Sequence, residues 1–223
     1  MPILDLLSQP VVFLAWLAAI IYVLTIHEFS HALAGTWLGD STARLAGRLT
    51  LNPLSHVSWL GFAMLLLVGF GWGKPVPFNP YNLKFPRIGP ALVAIAGPLS
   101  NLISAIIFIV IFKIFFPAVH PLFLVASDVT ADSLNLAAVF LSLAIFLNLV
   151  LMVFNLIPIP PLDGSKVLFA IISDVKYAQI RHTLEDRGPM ILLIIIMMDS
   201  FIGTNILGGI INGVIGLVFR LVA

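Results

Sequence analysis

The chain has 223 residues, 61% of them hydrophobic and only 9% charged, with a mean hydropathy of +1.14. A soluble globular protein carries about 25% charged residues, so this chain has too little polar surface to coat a water-soluble particle. A soluble enzyme and a disordered chain are both excluded, and a net charge of +1 argues against a nucleic-acid partner. Cysteine is absent, which removes disulfides and thiolate metal sites, so any metal must be held by His, Asp or Glu. What remains is a polytopic membrane protein.

About 20 apolar residues are needed to cross roughly 30 Å of hydrocarbon. Residues 11–26 are apolar apart from Tyr22 and Thr25, and the helical pattern runs on to about Leu38. The opening stretch does not read as a signal peptide, because Asp5 is its only charge and no small-residue cleavage site follows. Trp59–Phe70 is apolar but short for a crossing, which predicts a re-entrant segment. Further spans are predicted from about Gly89 to Phe116 and from about Leu134 to Ile157. A last one between Met190 and Val222 is interrupted at Asp199, Ser200 and Gly203. With Trp59–Phe70 re-entrant, Arg44, Arg48, Lys74, Lys84 and Arg87 share one face with Lys166, Lys176, Arg181 and Arg187. The loop 117–133 carries only Asp128 and Asp132. The positive-inside rule therefore puts 40–88 and 164–189 in the cytoplasm and 117–133 outside.

His27, Glu28 and His31 spell H-E-x-x-H inside an apolar helix. Residues four apart share a helical face, so both imidazoles can address one metal ion, and the adjacent Glu28 can take a proton from water. Three ionisable groups on one turn within hydrocarbon are functional by default. A catalytic zinc usually takes three protein ligands and keeps one open position, so one more His or carboxylate is required. Asp163 stands out in NLIPIPPLDG, residues 155–164, where Pro158, Pro160 and Pro161 end the preceding helix. On spacing alone Asp163 is equally an N-cap for the helix that follows. The predicted topology favours the ligand, since both segments arrive at the cytoplasmic side at similar depth.

HEFSH in a membrane helix and NLIPIPPLDG near the end of a later one resemble the site-2 protease family of intramembrane zinc metalloproteases, in its short prokaryotic form. GRLTLNPLSH at 47–56, GWGKPVPFNPYNL at 71–83 and AGPLSN at 96–101 add to the likeness. The resemblance implies one zinc per chain held by His27, His31 and Asp163, with Glu28 as catalytic acid/base. It also implies that Asn155 helps hold the scissile carbonyl or its oxyanion. The expected reaction is hydrolysis of a peptide bond in or beside the transmembrane helix of a single-span substrate protein, as in regulated intramembrane proteolysis. The expected location is the prokaryotic inner membrane, with the site towards the cytoplasm. The oligomeric state stays open.

The expected fold is an all-α polytopic bundle of about five to six transmembrane helices, with a re-entrant segment and a small β-hairpin near the active site. It forms a single domain over 1–223, with a catalytic core of about 11–172 and C-terminal helices at about 190–222. Residues 43–51 alternate loosely and read either as an edge strand that pairs with unwound substrate or as a structural hairpin. The Gly- and Pro-dense segment 71–90 reads as an interfacial connector or a gate. His56 is either a residue that orients a zinc ligand or an interfacial histidine. Asn101 reads as an interhelical hydrogen-bonding residue. A non-proteolytic metal-binding protein or ion transporter is the competing class; a transporter would usually show paired repeats, and none is evident.

Overall fold

A computed structural model describes residues 9–68, 71–121, 136–202 and 205–222. Helix α1 spans Pro10–Trp37 and begins with proline in its first turn, where the missing N–H costs nothing. It stops in a Schellman turn. The Gly39 N–H reaches the Thr36 carbonyl at 3.1 Å and the Asp40 N–H reaches Gly35 at 2.9 Å, with Gly39 at φ +106° as that motif requires. A four-residue helix α2 (Thr42–Leu45) and the apolar α3 (Trp59–Val68) precede α4 (Gly89–Phe115). Then come α5 (Leu136–Asn155), the short α6 (Asp163–Ile171), α7 (Ala178–Ile202) and α8 (Ile206–Val222).

Helices α1, α4 and α5 pack against one another in all three pairings. Small residues on α1, Ala15, Ala19 and Ala32, are buried and let the backbones come close. Ile109 and Phe112 of α4 meet Ile145 and Leu149 of α5 in the centre, and Ile215, Val218 and Phe219 of α8 join the same cluster. The outer face of α4 is also apolar: Leu92, Ile95, Leu99, Ile103, Ile107, Val110 and Ile114 recur every three or four residues and are all exposed. A soluble protein does not leave a whole apolar helix stripe uncovered. This one faces lipid.

Among the described residues three helices, α1, α4 and α5, are long and apolar enough to cross a membrane, where the sequence suggested five to six. The polar interruption in the C-terminal region left one broken helix or two short ones open, and the described residues form two helices. Helix α7 ends at Ile202, α8 starts at Ile206, and the Ile206 N–H donates to the Asp199 carboxylate. Helix α7 starts twelve residues before the predicted apolar span, because 178–189 is a charged, exposed helical extension that hydropathy does not reveal. Helix α3, with ten residues, is about 15 Å long, half the hydrocarbon thickness. The last two residues of the predicted re-entrant segment and most of the predicted outer loop 117–133 lie outside the described residues.

The β-hairpin expected near the site is not formed among the described residues, and 43–51 is not a strand. Those residues form α2 and a turn through Gly47 at φ +69°. Among the described residues extended pairing is reduced to a single antiparallel bridge between Val57 and Gly73. Pro75 and Pro77, which lack N–H groups, prevent a ladder from continuing. Arg48 is drawn inward instead, donating to the carbonyls of Lys74 and Pro75.

Asp40, 1% exposed, organises the connection that follows α1. Its carboxylate accepts from the Thr42 N–H and hydroxyl, the Asn79 N–H and the Asn82 amide. Burial pushes its pKa up, but these four donors together outweigh burial and hold it below the ordinary value. A carboxyl held low stabilises the fold above its unfolded pKa of about 4 and loses that contribution as pH falls through the folded value. Asp40→Ala should therefore cost about 1–3 kcal/mol at neutral pH by stranding buried donors. Thermal melting in detergent should show the gap between variant and wild type closing as the pH drops below about 4.

Candidate metal centre

His27 and His31 lie one turn apart on α1, ten and six residues before its end, which sets them about 15 and 9 Å below that end. Both are buried, and their rings stand perpendicular with centroids 4.6 Å apart. His27 Nδ1 is 2.6 Å from the Asn101 side-chain oxygen, and His31 Nδ1 is 2.8 Å from the Val93 carbonyl. Both partners are acceptors, so each Nδ1 carries the hydrogen and each Nε2 presents a lone pair. The two Nε2 atoms are 3.0 Å apart.

Asp163 completes the cluster. The chain leaves α5 at Asn155, runs through three prolines and re-enters helix at Asp163. Leu162, not Asp163, is the N-cap, and the Asp163 carboxylate is turned towards the histidines. Its Oδ2 lies 3.2 Å from His27 Nε2 and 3.1 Å from His31 Nε2. Among the described residues these three side chains form a set whose ligand atoms all lie within 4.8 Å of one another. Two lone pairs and a carboxylate oxygen converge in a buried place with no donor between them. One proton satisfies only part of that triangle, whereas a divalent cation satisfies all of it, with the N and O donors zinc prefers. The residues therefore fit a zinc ion.

Helix α4 closes on the imidazoles at Gly97. A Cβ there would sit 2.5 Å from His31 Nε2 and 2.6 Å from His27 Cε1, so any larger residue would displace the rings. Asn101 ties the cluster into the bundle, because its amide also donates to the Asn148 side chain at 2.8 Å, and Asn148 donates to the Ala144 carbonyl at 2.7 Å. Asn101 and Asn148 are fully buried. Asn101 is thus interhelical, as the sequence suggested, and it also fixes the tautomer of a candidate ligand.

Glu28 is half-buried beside the cluster, in a cavity of about 140 Å³ shared with His27, His31, Asp163 and Asn155. Opposite it runs the extended segment from Gly73, where a Cβ would come 3.3 Å from a Glu28 carboxylate oxygen. Asn155 stands at the last turn of α5 and donates one amide hydrogen to Leu151 at 3.1 Å; the other is available to the cavity. His56 does not touch a candidate ligand. It is 1% exposed, contacts the Thr50 carbonyl through Nε2 at 2.8 Å, and packs beside Arg48, so it does not orient the metal site. Burial lowers the pKa of Arg48, and the negative field of Glu28 partly restores it.

Segment 71–90 supplies Pro75, Val76 and Phe78 to this cavity. It also lines a cavity of about 930 Å³, which shares Phe78, Pro161 and Lys166 with the first. Three contributors escaped the reading of the sequence. Gly97 sat in view within AGPLSN, and Asn148 is a lone amide in an apolar helix. Lys166 carried no signal until Asp163 was placed.

The profile of peptidase family M50 matches residues 15–198. A Bacillus subtilis (strain 168) protein named "Putative zinc metalloprotease YwhC" is 39% identical over 171 residues, covering 77% of this chain and 74% of its own. "Putative zinc metalloprotease Rip2" of Mycolicibacterium smegmatis is 31% identical over 168 residues, 73% of this chain and 59% of that protein. A protein of the same printed name from Mycobacterium tuberculosis (strain H37Rv) is 32% identical over 163 residues, 70% and 57% of the two chains. No solved structure matches. A match over this much of the chain, on a membrane protein whose H-E-x-x-H and distant aspartate meet at one point, carries one conclusion: the chain belongs to peptidase family M50, the site-2 protease family of membrane zinc metalloproteases.

Proposed function

We propose that the protein is a zinc-dependent intramembrane endopeptidase that hydrolyses a peptide bond in or near the transmembrane helix of a single-span protein. The observation that carries this reading is the convergence of His27, His31 and Asp163 beside Glu28 in one small cavity. In it, His27, His31 and Asp163 hold one zinc ion per chain, and Glu28 and Asn155 act on the substrate.

Bound zinc supplies Lewis acidity and brings the pKa of water towards about 7. Glu28 accepts the proton of the attacking water and delivers it to the leaving amine nitrogen. The spare Asn155 amide hydrogen is placed to donate to the oxyanion of the tetrahedral intermediate. Asn101 and the Val93 carbonyl hold both imidazoles in the tautomer that leaves Nε2 free.

A helical substrate must unwind before its carbonyl can be attacked, and its freed backbone groups then need partners. The pairing role that was one of two readings of 43–51 passes to the extended stretch around Val76, which lines the cavity opposite Glu28. Its neighbours Lys74 and Pro75 already spend their carbonyls on Arg48, so Val76 is the place for β-type pairing. In this reading α3 enters and leaves on the cytoplasmic side, and the apolar part of α7 joins α8 to bring the crossings to five. The basic loops support a site that faces the cytoplasm from a prokaryotic inner membrane.

Zinc content and cleavage of a single-span reporter test the reading. Wild type and Glu28→Gln should each carry about one zinc per chain, with cleavage confined to wild type. Asp163→Ala should lose the metal. Wild-type protein that holds zinc yet cleaves no single-span substrate would point to a non-proteolytic metal-binding protein. Asn155→Ala should keep zinc while kcat falls about 100- to 1000-fold, the usual effect of losing one oxyanion donor; an unchanged kcat would return Asn155 to a helix-end role.

A further inference from the structure

The two oxygens of Asp163 have different surroundings. Both imidazoles address Oδ2, while Oδ1 is turned the other way and accepts from the Lys166 ammonium at 3.2 Å. Asp163 and Lys166 are three residues apart on α6, so they share a helical face. The ammonium also sits 5.9 Å above the Phe78 ring, and both residues line the small site cavity and the larger one. A lysine side chain is flexible, and here a carboxylate and a ring on separate segments define its position.

This arrangement bears on how many positions at the metal Asp163 can fill. A carboxylate with two free oxygens can close on a metal with both and take the position a catalytic site must keep open. With Oδ1 committed to an ammonium, only Oδ2 faces the histidines. We propose that Lys166 is a positioning residue that holds Asp163 with Oδ2 towards the histidines, which strengthens zinc binding by pre-orienting the ligand and preserves the open position by keeping Oδ1 away from the metal. The proposal rests on the metalloprotease reading above.

Partners that orient metal ligands typically contribute about 10- to 100-fold in metal affinity. The experiment measures zinc affinity of the purified full-length chain in detergent by chelator competition, for wild type, Lys166→Met and Lys166→Arg, alongside melting of the zinc-free forms. Lys166→Met should bind zinc about 10- to 100-fold more weakly, and Lys166→Arg, which keeps a cation able to reach Oδ1, should recover most of that loss. Zinc-free melting should be similar in all three. Unchanged zinc affinity in Lys166→Met would overturn the proposal, most tellingly if zinc-free melting fell, since the ion pair would then only stabilise α6. An arginine variant as weak as the methionine variant would also overturn it, because a cation at this position would not be what orients Asp163. If Lys166→Met does not fold, Lys166→Gln serves in the same comparison. Failure of wild type itself to bind zinc would instead sink the underlying metalloprotease reading.

Discussion

Two imidazole lone pairs and a carboxylate oxygen held within about 3 Å of each other, inside apolar surroundings, repel unless something positive lies between them. The rest of the molecule can be understood as the means of enforcing that arrangement. Helix α1 brings the two histidines to one face. Helix α4 fixes their tautomers through Asn101 and the Val93 carbonyl and approaches them without a side chain at Gly97. Helix α5 ends just where a proline-stiffened turn can return Asp163 to the same depth. Each element on its own is an ordinary apolar helix. The electrostatic demand arises only when the three are packed.

The bilayer explains why the second layer is built as it is. Polar groups within hydrocarbon must be paired inside the protein, so the chain from His27 through Asn101 and Asn148 to the Ala144 carbonyl crosses three helices without an unsatisfied link. That network orients a metal ligand and also joins α1, α4 and α5, between which the hydrophobic effect gives little drive in lipid. Orientation and assembly are therefore served by the same hydrogen bonds. The exposed apolar stripe of α4, on the side away from the site, is left to the lipid.

How much of this could be read from the sequence depended on whether the signal was local. The histidine pair and Glu28 follow from the helical repeat alone, and the three long spans follow from hydropathy. Asp163 was legible because three prolines must break α5 ahead of it, although its escape from an N-cap role became definite only with Leu162 seen in that place. Residues 43–51 misled because alternating apolar residues resemble a strand. What decided their conformation was remote: Asp40 gathers Thr42 with Asn79, and Arg48 is captured by carbonyls of Lys74 and Pro75. The charged start of α7 went unnoticed for the opposite reason, since an exposed helix leaves no apolar run. Asn148 and Lys166 gain meaning only from partners far away in the chain or turned inward by the fold.

The site is consequently asymmetric. Its metal-facing side is made of packed helices and a buried amide network, whereas the facing side is the proline-rich segment 71–90, tied down at Arg48 and Asp40. Prolines in that wall prevent it from folding into a sheet with itself, which leaves extended backbone exposed to the cavity. A protease that must accept an unwound segment needs such a contrast, because ligand geometry has to hold to fractions of an ångström while the substrate's path must admit a chain of varied side chains. Rigidity placed in the helices and extended backbone around Val76 placed opposite them meet both requirements. Lys166, bridging Asp163 on one side and Phe78 on the other, stands where the two regimes meet.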